Sequence, residues 1–116
     1  MPQQLSPISS FSFTEHKLGK KWVDGKDIYE KTVDLGNLPN SSNKTVNHNI
    51  VYDKIISYSA FAQNSEGTII HMPLYVSGNN YVLISIKSQY VELNTNTDRS
   101  EYYAYITIQY TKTQEA

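Results

Sequence analysis

Ten residues near the C-terminus, Tyr102 to Thr111, alternate with a period of two: Tyr102, Ala104, Ile106, Ile108 and Tyr110 fall on one side, Tyr103, Tyr105, Thr107, Gln109 and Thr111 on the other. Successive side chains of a strand point to opposite faces of the pleat, whereas a helix would scatter both sets around its circumference. The stretch therefore commits the chain to a sheet. One face of that sheet is core, and the other, a stripe of tyrosine, threonine and glutamine, faces something else.

The remaining segments agree. Val, Ile, Tyr and Thr occur in short runs bounded by Gly, Asn, Asp, Ser and Pro, and no segment carries a helical period. Asp27 to Leu35 reads as a long strand. Lys54 to Ala62 carries apolar groups on both faces, Ile56, Tyr58, Ala60 and Ala62 against Ile55 and Phe61, the pattern of a central strand covered on both sides. Thr68 to Met72, stopped by Pro73, reads as a short edge strand. Tyr81 to Ile86 and Ser88 to Asn94 read as two strands about a bend, while NLPNSSN (37 to 43) and NTNTDRS (94 to 100) are polar turns. About eight short strands with turn signals between them predict an all-β fold, an antiparallel two-sheet sandwich that is jelly-roll-like, with a small barrel as the alternative. At 116 residues the chain has the length of one domain. The expected organisation is a flexible N-terminal lead over residues 1 to 10, a β-sandwich over 11 to 113, and a short tail over 114 to 116.

Several chemistries find no support in the sequence. There is no cysteine, hence no disulfide, thiolate metal site or cysteine nucleophile. A formal net charge of -1, with both signs spread along the chain, gives no footprint for nucleic acid or anionic lipid. No basic start with an apolar run marks a secretory signal, and no run is long enough to span a bilayer, so a soluble chain is expected. His16, His48 and His71 lie in separate segments without metal-binding spacing, and neither a GxSxG elbow nor a glycine-rich phosphate loop is present. No cofactor and no enzymatic activity are expected.

The most decorated window is GKKWVDGKDIYEKTVDLGNLPN, residues 19 to 40. Asp24-Gly25 between Lys20 to Val23 and Asp27 to Leu35 predicts a hairpin with a two-residue turn, because glycine supplies positive φ without steric cost. Glu30 and Asp34 would share a strand face with Ile28 and Thr32, opposite Tyr29, Lys31, Val33 and Leu35. So mixed a pattern places the strand at an edge or a subunit contact. A glycosidase pair would need two of these carboxylates about 5 to 9 Å apart with opposed pKa values, a spacing that any solvated strand face also offers. Trp22 either packs across the hairpin or offers a stacking platform to a sugar. Tyr103 and Tyr105, with Thr107 and Gln109, make a stripe at once aromatic and hydrogen-bonding, suited to saccharide or protein recognition, a second core or an oligomer contact. The ligand or subunit-contact candidates are thus Trp22, Tyr29, Tyr103, Tyr105 and Gln109. Two sequons, at Asn40 and Asn43, fall in a loop.

The segments KWVDGKDIYEKTVDLGNLPN, VNHNI, PLYV and DRSEYYAYITIQYTKT follow one another over roughly residues 14 to 113. In order and spacing they resemble a module of bacteriophage and prophage tail fibres, tail tips and head fibres. Trp22, Asp24, Gly25, Lys26 and Tyr29 match its opening, Leu38, Pro39, Asn40 and His48 its middle, and Asp98, Arg99, Ser100, Tyr103, Tyr105, Gln109 and Tyr110 its close. Asp27 stands where that module has proline. The resemblance implies an all-β, homotrimeric, virion-exposed module without activity of its own, made in the bacterial cytoplasm and joined to other virion proteins of the fibre, baseplate or capsid. It transfers no ligand residue. Attachment to a bacterial surface glycan, with no nucleic acid and no membrane as partner, is the function expected. A purely structural module that trimerises the fibre or decorates the capsid is the alternative, and a carbohydrate-binding module attached to a depolymerase a third.

Overall fold

The computed structural model describes residues 10–113. The expected lead, apart from Ser10, and the expected tail lie outside the described residues. The described residues form nine strands: β1 (His16–Lys21), β2 (Asp27–Asn37), β3 (Asn43–Asn47), β4 (Lys54–Gln63), β5 (Ile69–Met72), β6 (Leu74–Ser77), β7 (Asn80–Ile86), β8 (Tyr90–Thr95) and β9 (Tyr103–Thr111). They build two antiparallel sheets, one in the order β1-β2-β9-β4-β5 and one in the order β3-β8-β7-β6. The fold is an all-β two-sheet sandwich. Two separate sheets with free edges, rather than one closed ring, set the barrel aside.

β9 lies in the middle of the larger sheet, and its alternation decides the packing. Ala104, Ile106, Ile108 and Tyr110 are fully buried against Val82, Val91 and Leu93 of the second sheet and Val33 and Leu35 of β2. Each fully buried side chain of this size is worth about 1.5 to 3 kcal/mol. The chain passes between sheets from β2 to β3, from β3 to β4, from β5 to β6 and from β8 to β9. The stack of β2-β9-β4 with β3-β8 is the Greek-key crossing of a jelly roll. The order departs from a jelly roll afterwards, because β5 folds straight back on β4 and β6-β7-β8 runs as a meander.

Three local expectations are corrected. β4 is not covered on both sides: Ser57, Ser59 and Gln63 are exposed. The register slips between Ile55, opposite Tyr110, and Ser57, opposite Gln109, so Ile56 is an inserted bulge residue. The bulge puts Ile55 and Tyr58 on the same inward face and makes a one-sided strand look apolar throughout. β2 is not at an edge; it lies between β1 and β9, and its mixed pattern has another cause, set out below. The hairpin forms, but around three residues. Gly25 N–H donates to the Trp22 carbonyl and Trp22 N–H to the Lys26 carbonyl, both at 2.9 Å, with Gly25 at φ 89° and Asp24 in an ordinary conformation. Only one position of the turn needs positive φ, which is the three-residue loop with a glycine bulge.

Candidate binding face

Turned away from the second sheet, the five-stranded sheet presents a face made of cross-strand rows, since residues opposite one another on neighbouring strands sit within side-chain reach. The first row runs His16, Glu30, Gln109, Ser57 across β1, β2, β9 and β4. His16 Nε2 stands 3.3 Å from Glu30 Oε1, Gln109 Nε2 donates to Glu30 Oε2 at 3.0 Å, and the Ser57 hydroxyl donates to Gln109 Oε1 at 3.1 Å. In the next row the hydroxyls of Thr32 and Thr107 meet at 2.8 Å, with Ser59 alongside. Glu30 and Thr32 are buried here, which explains the mixed pattern of β2: its polar residues are satisfied sideways by neighbouring strands.

The third row is aromatic. His71, Phe61 and Tyr105 lie opposite one another on β5, β4 and β9, with Asp34 of β2 next in line. Beyond it Phe13, 58% exposed, stacks on Tyr105 at 6.2 Å; the Phe61 and Tyr103 rings lie 5.7 and 5.4 Å from Tyr105. Ser12 holds this leading segment in place by accepting the Thr32 N–H. A fourth row holds Ile69, Gln63 and Tyr103. The Tyr103 hydroxyl donates to Asp34 Oδ2 at 2.8 Å, and Asp34 Oδ1 accepts the Gly36 N–H. That bond to a carboxylate, with a little desolvation, pushes the Tyr103 phenol up.

Of the sequence-derived candidates, Tyr103, Tyr105 and Gln109 come together on this face. Tyr29 does not join them. It lies on the inward face, buried, its ring 6.1 Å from that of Tyr110 and capped by Lys112 Nζ at 4.9 Å, because residue 29 has the opposite parity to Glu30. Trp22 sits half-buried in the hairpin turn, away from the aromatic row. Phe61 and Phe13 were not among the sequence candidates, and Asp34 was weighed only as one of a carboxylate pair; for Phe61 the outward alternation Ser57, Ser59, Phe61, Gln63 was the available signal, and the bulge at Ile56 hid it.

The four carboxylates of the opening window do not pair with one another. Asp24 faces Lys54 at 3.8 Å, Asp27 holds Lys21 at 2.8 Å, Glu30 faces His16, and Asp34 accepts from Tyr103. Nearby, Asp53 binds Lys54 and Lys26, which hold its carboxyl below the usual range and tie the hairpin to the loop before β4. Among the described residues no group of three or more His, Asp or Glu is placed to hold a metal ion. An open groove of 650 Å³ lies where the β3–β4 and β7–β8 connections meet, lined by Asn47, Tyr52 and Gln89 among others. Its histidine, His48, is committed to the backbone on both ring nitrogens.

A second surface also stands out. From Gly67 to Ile86, through β5, β6 and β7, the chain has no Asp, Glu, Lys or Arg. Ile69, Tyr75 and Val76 are more than half exposed there, at 52%, 67% and 62%. The opposite edge, β1, carries Lys17, Lys20 and Lys21. Lysines guard an edge strand against pairing, and β5 and β6 have none. No family model, curated protein or solved structure matches the chain.

Proposed function

We propose that this chain is a non-enzymatic attachment module of a bacteriophage fibre, tail tip or head fibre, which assembles as a homotrimer and binds a glycan of the bacterial surface. The observation that carries the reading is the row of rings around Tyr105, half-buried at Phe61 and Tyr105 and exposed at Phe13 and Tyr103, on an otherwise hydrogen-bonding sheet face. Aromatic rings offer rigid area to the apolar faces of sugars, and neighbouring polar groups can meet hydroxyls. The engaged carboxylates and the resemblance to fibre modules support the same reading. One such site is weak; three on a shaft raise avidity by about 10² to 10⁴ through effective concentration.

The uncharged β5–β6 edge favours a subunit contact there, leaving the aromatic face outward. Should that contact be the whole function, the module is a structural one that trimerises or caps the fibre. A glycan array and a host-envelope binding assay, both run with the oligomeric protein, separate the two. Binding on either, lost in Tyr105→Ala, supports attachment. No binding on both removes attachment and leaves the structural role, and a monomer at micromolar concentration removes the trimer.

A further inference from the structure

Resting on the attachment reading, we infer that the outer face of the five-stranded sheet binds a linear, non-anionic oligosaccharide lying across the strands, three to four sugars long. Two observations fix length and charge independently.

Length follows from the direction of the row. His71, Phe61, Tyr105, Asp34 and Phe13 come from successive strands β5, β4, β9 and β2 and from the segment beyond, so the row runs perpendicular to the strands. Four inter-strand steps of about 4.8 Å give a row of about 19 Å at the backbone, along which the rings of Phe61, Tyr105 and Phe13 together cover about 12 Å. Ring centroids follow one another along it at 5.7 and 6.2 Å. This spacing is close to the advance per sugar in an extended, equatorially linked pyranose chain, whose flat apolar faces could stack on successive rings. The flanking rows supply hydrogen-bonding groups along the same line: Gln63 and the Tyr103 hydroxyl on one side, Ser59 and Thr107 on the other.

Charge follows from the residues in the four rows. They hold two carboxylates, Asp34 exposed and Glu30 buried, and no lysine or arginine. His71 is the exposed histidine and His16 is buried against Glu30. The nearest cation on this face of β4, Lys54, lies beyond the Ser57 row and is engaged by Asp53 and Asp24. A uronate or phosphate-bearing polymer would meet Asp34 with no lysine or arginine in the four rows to offset it, so electrostatics favours neutral or amino-bearing sugars.

The test is an NMR titration of the intact protein with three probe series of two to six units: β-1,4-linked N-acetylglucosamine, the same oligomers de-N-acetylated, and β-1,4-linked oligoglucuronate. The expected result is affinity rising from two to four units and then levelling, with the uronate series at least tenfold weaker at equal length. Tyr105→Ala lowers affinity for the favoured series more than tenfold, and Thr45→Ala, exposed on β3 of the other sheet, leaves it unchanged. Ser59→Lys, an exposed substitution one row from the rings, narrows the gap against uronate by about threefold, the size of one screened charge pair. Uronate binding as tight as the neutral series, or affinity flat with length, overturns this inference while attachment stands. No binding by any probe, together with an empty glycan array, overturns both.

Discussion

His48 offers the sharpest test of how this sandwich is held together. It is 1% exposed and serves as a clip between the β3–β4 and β7–β8 connections. Ile50 N–H donates to its Nδ1 at 3.0 Å, so Nδ1 is the acceptor; Nε2 then carries the hydrogen and donates to the Lys87 carbonyl at 2.8 Å. The next residue, Asn49, sits at φ 56°, a conformation that few side chains adopt, and the clip holds it there. His48→Ala removes both bonds, each worth about 1 kcal/mol net, leaves a buried Ile50 N–H without a partner, and deletes the edge contact of the imidazole with Tyr52. The sum is a loss of about 2 to 4 kcal/mol. For a domain of this size that corresponds to a fall in Tm of about 10 °C or more. Urea unfolding followed by tyrosine and tryptophan fluorescence measures the loss. Long-range ¹H–¹⁵N spectra of the wild type independently report the Nε2-protonated tautomer. A loss below about 1 kcal/mol, or an Nδ1-protonated ring, refutes the clip.

Four further outcomes are expected. Burial pushes the Glu15 carboxyl up, but hydrogen bonds from the Tyr110 hydroxyl and Lys112 outweigh it, so the folded value lies below the unfolded one near 4.5; its contribution is full above that value and is lost as pH falls through the folded one, and denaturation midpoints against pH show a shallower acid limb in Glu15→Gln. Burial and the bond to Glu15 raise the Tyr110 phenol above 10.0, so that contribution is full below pH 10.0 and fades as pH rises, and Tyr110→Phe flattens the alkaline limb in the same titration. Gly36, at φ 71°, lies where an added Cβ meets Lys44 Nζ at 3.0 Å, and Gly36→Ala costs about 1 to 2 kcal/mol in denaturant melts. On the proposed trimer, Val76→Lys puts a charge on the bare β6 edge and leaves a monomer in light scattering while circular dichroism is unchanged.

The strands were readable wherever alternation is strict, and hidden wherever one residue breaks the count. β9 shows its faces outright, and β7 and β8 appear within a residue or two of their observed ends. β4 hides its outward face because the bulge at Ile56 moves every later side chain by one parity, and a pattern read without the partner strand cannot detect the slip. Tyr29 was grouped with the candidates, although its own parity puts it with Val33 and Leu35 in the core. The aromatic row was beyond reach for a different reason: its members come from β5, β4, β9 and the segment before β1, so no linear spacing encodes it. Strand order supplies it.

The polar rows also bear on how the face could work. A sheet open to solvent on one side needs only scattered polar residues, yet here Glu30 is buried and held by partners on two neighbouring strands. Burying a carboxylate costs free energy unless its hydrogen bonds are met, so the His16, Glu30, Gln109, Ser57 row is not explained by stability alone. What such a row does is lock side chains into single rotamers and fix the register of β2 against β9. The Thr32–Thr107 pair and the Tyr103–Asp34 bond do the same nearer the rings. A platform whose neighbours are already ordered gives up little entropy when a ligand lands, and the proposed low-affinity site, used in threes, would gain most from that saving. The feature that blurred the pattern of β2 is, on this reasoning, what keeps the rings of the next row in place. On the proposed glycan reading, Thr32→Val should therefore weaken binding at Tyr105, though buried Thr32 is not among the groups that line the sugar; equal affinity in that variant would detach the rows from the site.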